Sequence, residues 1–295
     1  MATLSLCYYP WITQSISGAA LAQAVGKFKN LLEEELRRRM GSTTQLILLK
    51  EMEIPEQLEE LKERPAGDLI CKIGLLNPLG YALVHDEAPE VEAVAVIRRK
   101  MASSGPIYKA QLYANRKSAI KKDKIEDIRG RTVAFGSPQS TSNFLMPAYM
   151  LWKAGIHPLS GLSRVDFAGG HDKAAVAVYE GRSDVGAGHD GVITDLAKRP
   201  GYGDADQVLT NVVWSEDIPS DPVAVHTADT EVREHAVNAL TAIARPNDTE
   251  SEGNKAVMAF WGTSEGFERI DPNAYAFLHD RMKSLGLRPA DVLRK

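Results

Sequence analysis

RTVAFGSPQSTSNFLMPAYMLWKAG, residues 131–155, is the stretch that decides the fold class. Residues 132–135 are a short run of strand formers, Gly136 to Pro138 make a turn, and Ser140-Thr141-Ser142 open an apolar helical pattern running to Ala154. A strand that turns through glycine into a helix is half of a βαβ unit, whose strands pair in parallel. The same junction has a chemical character. A helix start carries unpaired N–H groups and about half a positive charge, and three consecutive hydroxyls add donors there. Such a place can hold an anion without a lysine, whereas ordinary N-capping would need only one hydroxyl.

Working outward, the alternation of strand and helix recurs. Toward the N-terminus, strands are expected at 4–9, 46–49, 69–75 and 91–97. Helices are expected at 19–39, ended by Gly41, at 55–63 and at 78–86. Toward the C-terminus, strands at 162–167 and 184–187 bracket a helix at 172–180, and an extended segment follows at 208–214. The last third reads as mostly helical, at 232–244, 254–261 and 273–284. Turn-rich breaks at 103–106 and 218–222 interrupt the rhythm, beside the extended segments 107–115 and 208–214. The expected class is α/β, with two lobes of central, mostly parallel sheets flanked by helices and joined by two hinge crossings. Lobe 1 would be 1–106 with 216–295 and lobe 2 the inserted 107–215, with hinges near 107–115 and 208–222. Ligand would sit between them, beyond the carboxyl ends of the strands.

Composition narrows the function. A chain of 295 residues is comfortable for two domains, and 44% hydrophobic with 25% charged residues is ordinary for a globular protein that needs no staples. The net charge of −4 lacks the basic field of a nucleic-acid binder, so any anion must be held by local dipoles and hydrogen bonds. Cys7 and Cys71 lie in apolar strands, as packed thiols or as a disulfide between neighbouring strands. No run approaches 18 apolar residues, and Met1-Ala2 leads directly into a strand without a visible signal peptide. That start fits a cytoplasmic protein or a mature extracytoplasmic one.

Two further strand–helix junctions carry candidate chemistry. After the strand at 164–167, Ala168-Gly169-Gly170 turns into a helix begun by His171-Asp172. A histidine there tends to be neutral and can donate one N–H to an anion, or merely satisfy the turn. GAGHDG, residues 186–191, formally matches G-x-G-x-x-G. Its strand is short and polar and its helix is cut by Pro200, so it reads as a turn presenting His189 or Asp190, not as a dinucleotide loop. The sequence has no G-x-x-x-x-G-K-[ST], C-x-x-C, H-E-x-x-H or G-x-S-x-G. With no base indicated beside them, Ser140 to Ser142 read as donors and not as nucleophiles. Tyr8, Tyr9, Trp11, Tyr81 and Tyr108 fall at strand ends or in the break, as walls of a cleft or as packing.

Four stretches together carry a family resemblance: IEDIRGRTVAFGSPQSTSNFLMPAYMLWKAGI (125–156), FAGGHDKAAVAVYEGRSDVGAG (167–188), WSEDIPSDPVAV (214–225) and LGLRPADV (285–292). The chain resembles, over nearly its whole length, the phosphonate/phosphite/phosphate-type substrate-binding proteins of ABC transporters, with the type 2 periplasmic binding fold. The resemblance implies that Ser140, Thr141 and Ser142 hold the oxygens of a small phosphorus oxyanion and that His171 donates to the same group. It places Asp221, in IPSDP, and Asp190 at the ligand's other end, with Tyr81 and Tyr108 as aromatic cleft positions; Tyr9, at a strand end, is a further candidate ligand contact. It further implies a monomer without cofactor or nucleic-acid partner, served by an ABC permease and placed in the periplasm or at an extracytoplasmic membrane surface. Two departures stand out: Asn77 in GLLNPLGY where glycine is usual, and His189, which has no clear family counterpart. An enzyme on the same fold, of the menaquinone or thiamine-precursor type, and a ligand-sensing receptor domain remain open readings at this point.

Overall fold

The structure, a computed structural model, describes residues 2–9, 18–100, 104–248, 250–262, 264–288 and 291–292. Trp11 and the start of the expected break at 103–106 lie outside them. The chain divides into two compact units, one of Met1–Lys100, Ser104–Ile107 and Pro219–Ala276, the other of Tyr108–Ile218 and Phe277–Lys295.

The first unit is built on β1 (Thr3–Tyr8), α1 (Gly18–Met40), β2 (Gln45–Glu51), α2 (Ile54–Lys62), β3 (Leu69–Leu75), α3 (Pro78–Glu87), β4 (Val91–Lys100) and the short β5 (Ser104–Gly105). Numbering along the chain, β11 (Pro222–His226), α8 (Thr230–Ile243), α9 (Glu252–Trp261) and β12 (Ser264–Arg269) complete it. Every residue of β1 is buried, as a strand flanked on both sides must be. The sheet order is β12-β4-β11-β3-β1-β2, with β5 on β4. β1 pairs in parallel with β2 and β3, whereas β11 is antiparallel to both β3 and β4. β4 therefore runs in the same direction as β1 and β3, and their carboxyl ends share one edge. Pro55 and Pro78 pre-set the first turns of α2 and α3. Asn77, the departure from glycine, is the N-cap of α3, its side chain accepting the Gly80 N–H at 2.6 Å.

The second unit contains β6 (Ile107–Asn115), β7 (Thr132–Phe135), α4 (Met146–Lys153), β8 (Arg164–Phe167), α5 (His171–Tyr179), β9 (Val185–His189), α6 (Val192–Ala197), α7 (Ala205–Val208), β10 (Leu209–Pro219) and α10 (Phe277–Ser284). Its sheet runs β10-β6-β9-β7-β8, with β7 parallel to β8 and β9 and with β6 antiparallel to β9. Leu112, Val133, Phe135, Leu151, Ile156 and Val185 form its core.

Three expectations need correction. Both sheets are mixed, because parallel pairing holds only where βα units repeat and antiparallel strands join wherever a segment arrives from elsewhere in the chain. The last third is not mostly helical: β11 and β12 lie within it and pair with β3 and β4. PVAVH hid beside a proline-rich break, though proline at a strand's first residue is permitted, and SEGFER is too polar to announce a strand without its partner. The expected helix at 273–284 is interrupted after the 3₁₀ turn Pro272–Tyr275, and from Phe277 the chain belongs to the second unit. There α10 packs on α4, with the Arg281 guanidinium 4.4 Å from the Tyr149 ring and hydrogen-bonded to Glu216.

The disulfide alternative also falls. Both thiols are free and buried, and in the β1–β3 register Cys71 stands opposite Leu4 while Cys7 stands opposite Gly74. Burial raises each thiol pKa to about 12.

Candidate functional site

In the second unit the carboxyl ends of β7, β8 and β9 gather most of the candidates. β7 ends at Phe135, and a Cβ on the following Gly136 would lie 2.4 Å from the Asn143 side chain, so only glycine lets the helix start fold back this closely. Ser140 is the N-cap, its hydroxyl accepting the Asn143 N–H at 3.1 Å. The first turn, Thr141–Leu145, is π-helical, with the Leu145 N–H bonded to the Ser140 carbonyl at 3.1 Å. Its cause is in the sequence: Pro147 has no N–H to give the Asn143 carbonyl, which accepts from Gly136 instead at 3.4 Å. Thr141 and Ser142 are almost wholly buried. This turn packs directly against β9.

The next junction turns through Gly169, in the left-handed region at φ 86°, and the extended Gly170 into His171, the first residue of α5. His171 Nδ1 accepts the backbone N–H of His189 at 3.3 Å, and His189 Nδ1 accepts that of Gly191 at 3.1 Å. Each neutral ring must then carry its proton on Nε2. The two ring centroids are 4.7 Å apart. Asp190 follows, buried, with its carbonyl and that of His189 held by the Gln111 amide at 3.3 and 2.9 Å. Because Ala110 pairs with His189 across antiparallel strands, Tyr108, two residues earlier, reaches the same edge and is buried there. Ser140, Thr141, Ser142, His171, Asp190 and Tyr108 are thus brought to one edge. His189, which reads in the sequence as presented by the same turn as Asp190, joins them. The formal G-x-G-x-x-G resolves otherwise: Gly186 and Gly188 lie inside β9, where a Cβ would strike the Tyr113 ring or Val192, so they serve packing and cradle no phosphate.

The first unit places its candidates at the carboxyl edge of β1, β3 and β4. Asp221 occupies the two-residue gap between β10 and β11, and its carbonyl accepts the Ile97 N–H at 3.1 Å. Tyr9, just past β1, donates its hydroxyl to Asp221 Oδ2 at 2.7 Å, and Arg99 forms an ion pair with that same oxygen. The Asp221 carboxylate is therefore charge-balanced, by an arginine that nothing in the sequence singled out. Tyr81 is placed differently. It is buried between His85 and Tyr275, at ring centroids of 5.3 and 5.1 Å, and donates to the Pro272 carbonyl at 3.3 Å. Burial raises its pKa to about 12, and its environment is that of packing. Among the described residues no cluster of three or more His, Cys, Asp or Glu could hold a metal ion, and no helix is long and apolar enough to cross a membrane.

Comparison with known proteins adds independent findings. The family model described as "ABC transporter, phosphonate, periplasmic substrate-binding protein" matches residues 12–275. A stretch of 100 residues, 32% of this chain, is 32% identical to the phosphate-import protein PhnD of Mycolicibacterium smegmatis, and the match spans 30% of that relative's length. Among solved structures, XAC2383 of Xanthomonas citri bound to chloride ion superposes with a TM-score of 0.73 at 17% identity, covering 99% of each chain. PhnD1 of Prochlorococcus marinus in complex with methylphosphonate does so at 0.67 and 17% identity, covering 96% of this chain and 98% of that one. At such identities the structural likeness concerns the fold.

Proposed function

Because the chain belongs to the family of periplasmic phosphonate substrate-binding proteins of ABC transporters, we propose that it captures a small phosphorus oxyanion (phosphonate, phosphite or phosphate) and presents it to a membrane permease. The observation that carries this reading is the carboxyl edge of the second unit. There a hydroxyl-rich helix start and a histidine at a second helix start lie on neighbouring β–α junctions of one sheet. Ser140, Thr141 and Ser142 donate hydroxyl hydrogens to the phosphorus oxygens, since a hydroxyl that accepts from the backbone, as Ser140 does, still has its own proton to give. His171 adds its Nε2–H, the tautomer fixed by the main chain.

Asp190 is an acceptor at the same edge, and it supports a choice among anions. Phosphorus oxyanions at neutral pH often carry a proton, which a carboxylate can accept, whereas sulfate is fully ionised and is repelled. Discrimination by a buried acceptor that only a proton-carrying ligand can satisfy reaches about 10⁴-fold. Asp221, Tyr9 and Tyr108 belong to the proposed contacts as well; Tyr81, being packed, does not.

Titration calorimetry with phosphate, phosphite, methylphosphonate and sulfate tests the proposal. Ser140→Ala, Thr141→Val and Ser142→Ala should each weaken binding of the phosphorus ligand by about 1–3 kcal/mol, the cost of leaving a charged acceptor short of a donor. Sulfate should bind negligibly, and Asp190→Asn should relax that discrimination. Unchanged affinity in all three hydroxyl variants would sink the anion site.

A further inference from the structure

We propose that the first unit carries a second binding site, for a small molecule with a primary ammonium head and a short apolar body, at the edge of its sheet opposite to Asp221. β11 starts beside Asp221 and ends at His226, and β3, antiparallel to it, begins at Leu69 on that far edge. A cavity of about 590 Å³ opens there, with Pro65, Leu69, Ile70 and Val232 as apolar walls and Glu90 and His226 as polar ones. A water molecule takes up about 30 Å³, so the space is of a size for an organic ligand.

His226 gives the cavity its chemistry. It is 2% exposed, and the register that sets it opposite Val91 of β4 brings it beside Glu90. Its Nδ1 lies 2.7 Å from the Leu61 carbonyl, which can only accept, so the neutral ring carries its proton there and Nε2 is an acceptor. Among the described residues Nε2 makes no hydrogen bond, and the Glu90 carboxylate stands 4.0 Å from it, beyond direct reach. Two acceptors at this spacing call for a donor between them. One sp³ nitrogen giving two hydrogen bonds of about 2.8 Å at a near-tetrahedral angle spans acceptors about 4–4.6 Å apart.

Charge points the same way. Glu90 and Asp229 bring two carboxylates to the cavity against the one guanidinium of Arg64. Arg64 bonds Glu90 Oε1 at 3.1 Å with its own side chain 83% exposed, and a carboxylate keeps further acceptor positions after such a contact. The surroundings are built before any ligand arrives. The Thr227 hydroxyl donates to the Ile70 carbonyl at 2.8 Å and accepts the Asp229 N–H at 3.2 Å, while Asp229 Oδ1 accepts the Glu231 N–H at 2.8 Å. An anion would meet like charge here, and a quaternary ammonium would bring no N–H. A primary ammonium satisfies both acceptors and the charge.

Butylammonium is the probe that tests this, with butyltrimethylammonium (same charge, no N–H) and butyrate (opposite charge) as controls. Titrated into the full chain and followed by NMR, butylammonium should give saturable shifts at the His226 ring nitrogens and the Val232 methyls, and the controls should not. The His226 proton should be found on Nδ1. Glu90→Gln keeps the shape of a partly exposed side chain and removes its charge. It should weaken butylammonium about tenfold, the loss of one charge-assisted hydrogen bond, with the parent's melting temperature. His226→Asn, whose amide can still donate to Leu61, should do the same through loss of the Nε2 acceptor. If that variant folds poorly, the ring-nitrogen shifts of the parent and the Glu90→Gln titration decide. No saturable shift with butylammonium, equal binding of either control, a His226 proton resting on Nε2, or parent-like affinity in Glu90→Gln overturns the proposal. Oxyanion binding uses none of these residues and stands or falls separately.

Discussion

Single residues are where the sequence is most informative about chemistry and least informative about partners. That the serine-threonine-serine run and His171 stand at helix starts could be read directly, because each lies one turn after a strand. Arg99 could not. Its partner is 122 positions away, and nothing in RRK distinguishes a buried guanidinium from a solvated one. That pair yields a stability prediction. With side-chain exposures of 16% and 4%, Arg99→Met leaves the Asp221 carboxylate buried with only the Tyr9 hydroxyl, and should cost about 3–5 kcal/mol in denaturant unfolding. Adding Asp221→Asn removes the stranded charge and should recover much of that loss. A single variant as stable as the parent would show that the pair is not coupled in solution. The thiols give a second prediction at this scale. With a pKa of about 12, the thiolate fraction of Cys7 or Cys71 at pH 8 is about one in ten thousand, and burial blocks access as well. A thiol reagent at pH 8 should label neither cysteine in the folded protein and both after denaturation.

At the scale of elements, the periodicities found every helix of the N-terminal two-thirds that exceeds six residues, within a few positions at each end. Strands whose identity depends on a distant partner escaped: PVAVH and SEGFER acquire their roles by pairing with β3 and β4, more than 120 positions earlier. The π turn escaped for a different reason. A helical pattern records which residues face the core, and only the missing N–H of Pro147 marks that the first turn is wide. Gly136 fixes how closely that turn returns to β7, and Gly136→Ala would press a methyl group into the buried Asn143 amide. The expected cost is about 1–3 kcal/mol of stability, together with weaker oxyanion binding, because the donors of residues 140–142 would be displaced. By contrast Gly130→Ala, with open space around its Cβ but a φ of 69°, should carry only a backbone penalty and leave affinity unchanged. Thermal unfolding and calorimetry on the two variants separate these outcomes; equal affinity in both would detach Gly136 from the site.

For the molecule as a whole, the alternation of strands and helices led to the expectation of two α/β bodies with the second inserted in the first, and the chain divides into two compact units. What it missed is the third passage of the chain, after Ala276. Nothing in the sequence around Ala276 marks it, because a helical pattern runs through 273–284 and the change of body depends on which core the apolar residues meet. In the structure Leu278 and Met282 of α10 are buried, Leu285 and Leu287 pack against the core that contains Val133, Phe135 and Leu151, and Arg281 holds Tyr149 and Glu216. At about 1.5–3 kcal/mol for each fully buried large side chain, the segment contributes several kcal/mol to the second unit. A chain ended after Ala276 should therefore lose stability in that unit specifically. Hydrogen exchange should show faster exchange in β7, β8 and β9, while β1 and β3 keep the protection of the parent. Phosphorus oxyanion binding should weaken in parallel, since the donors at residues 140–142 and at His171 rest on the loosened sheet. Uniform loss of protection in both sheets would mean that the two units unfold as one. Loss confined to β1 and β3 would mean that the segment belongs with the first unit, as its sequence alone suggested.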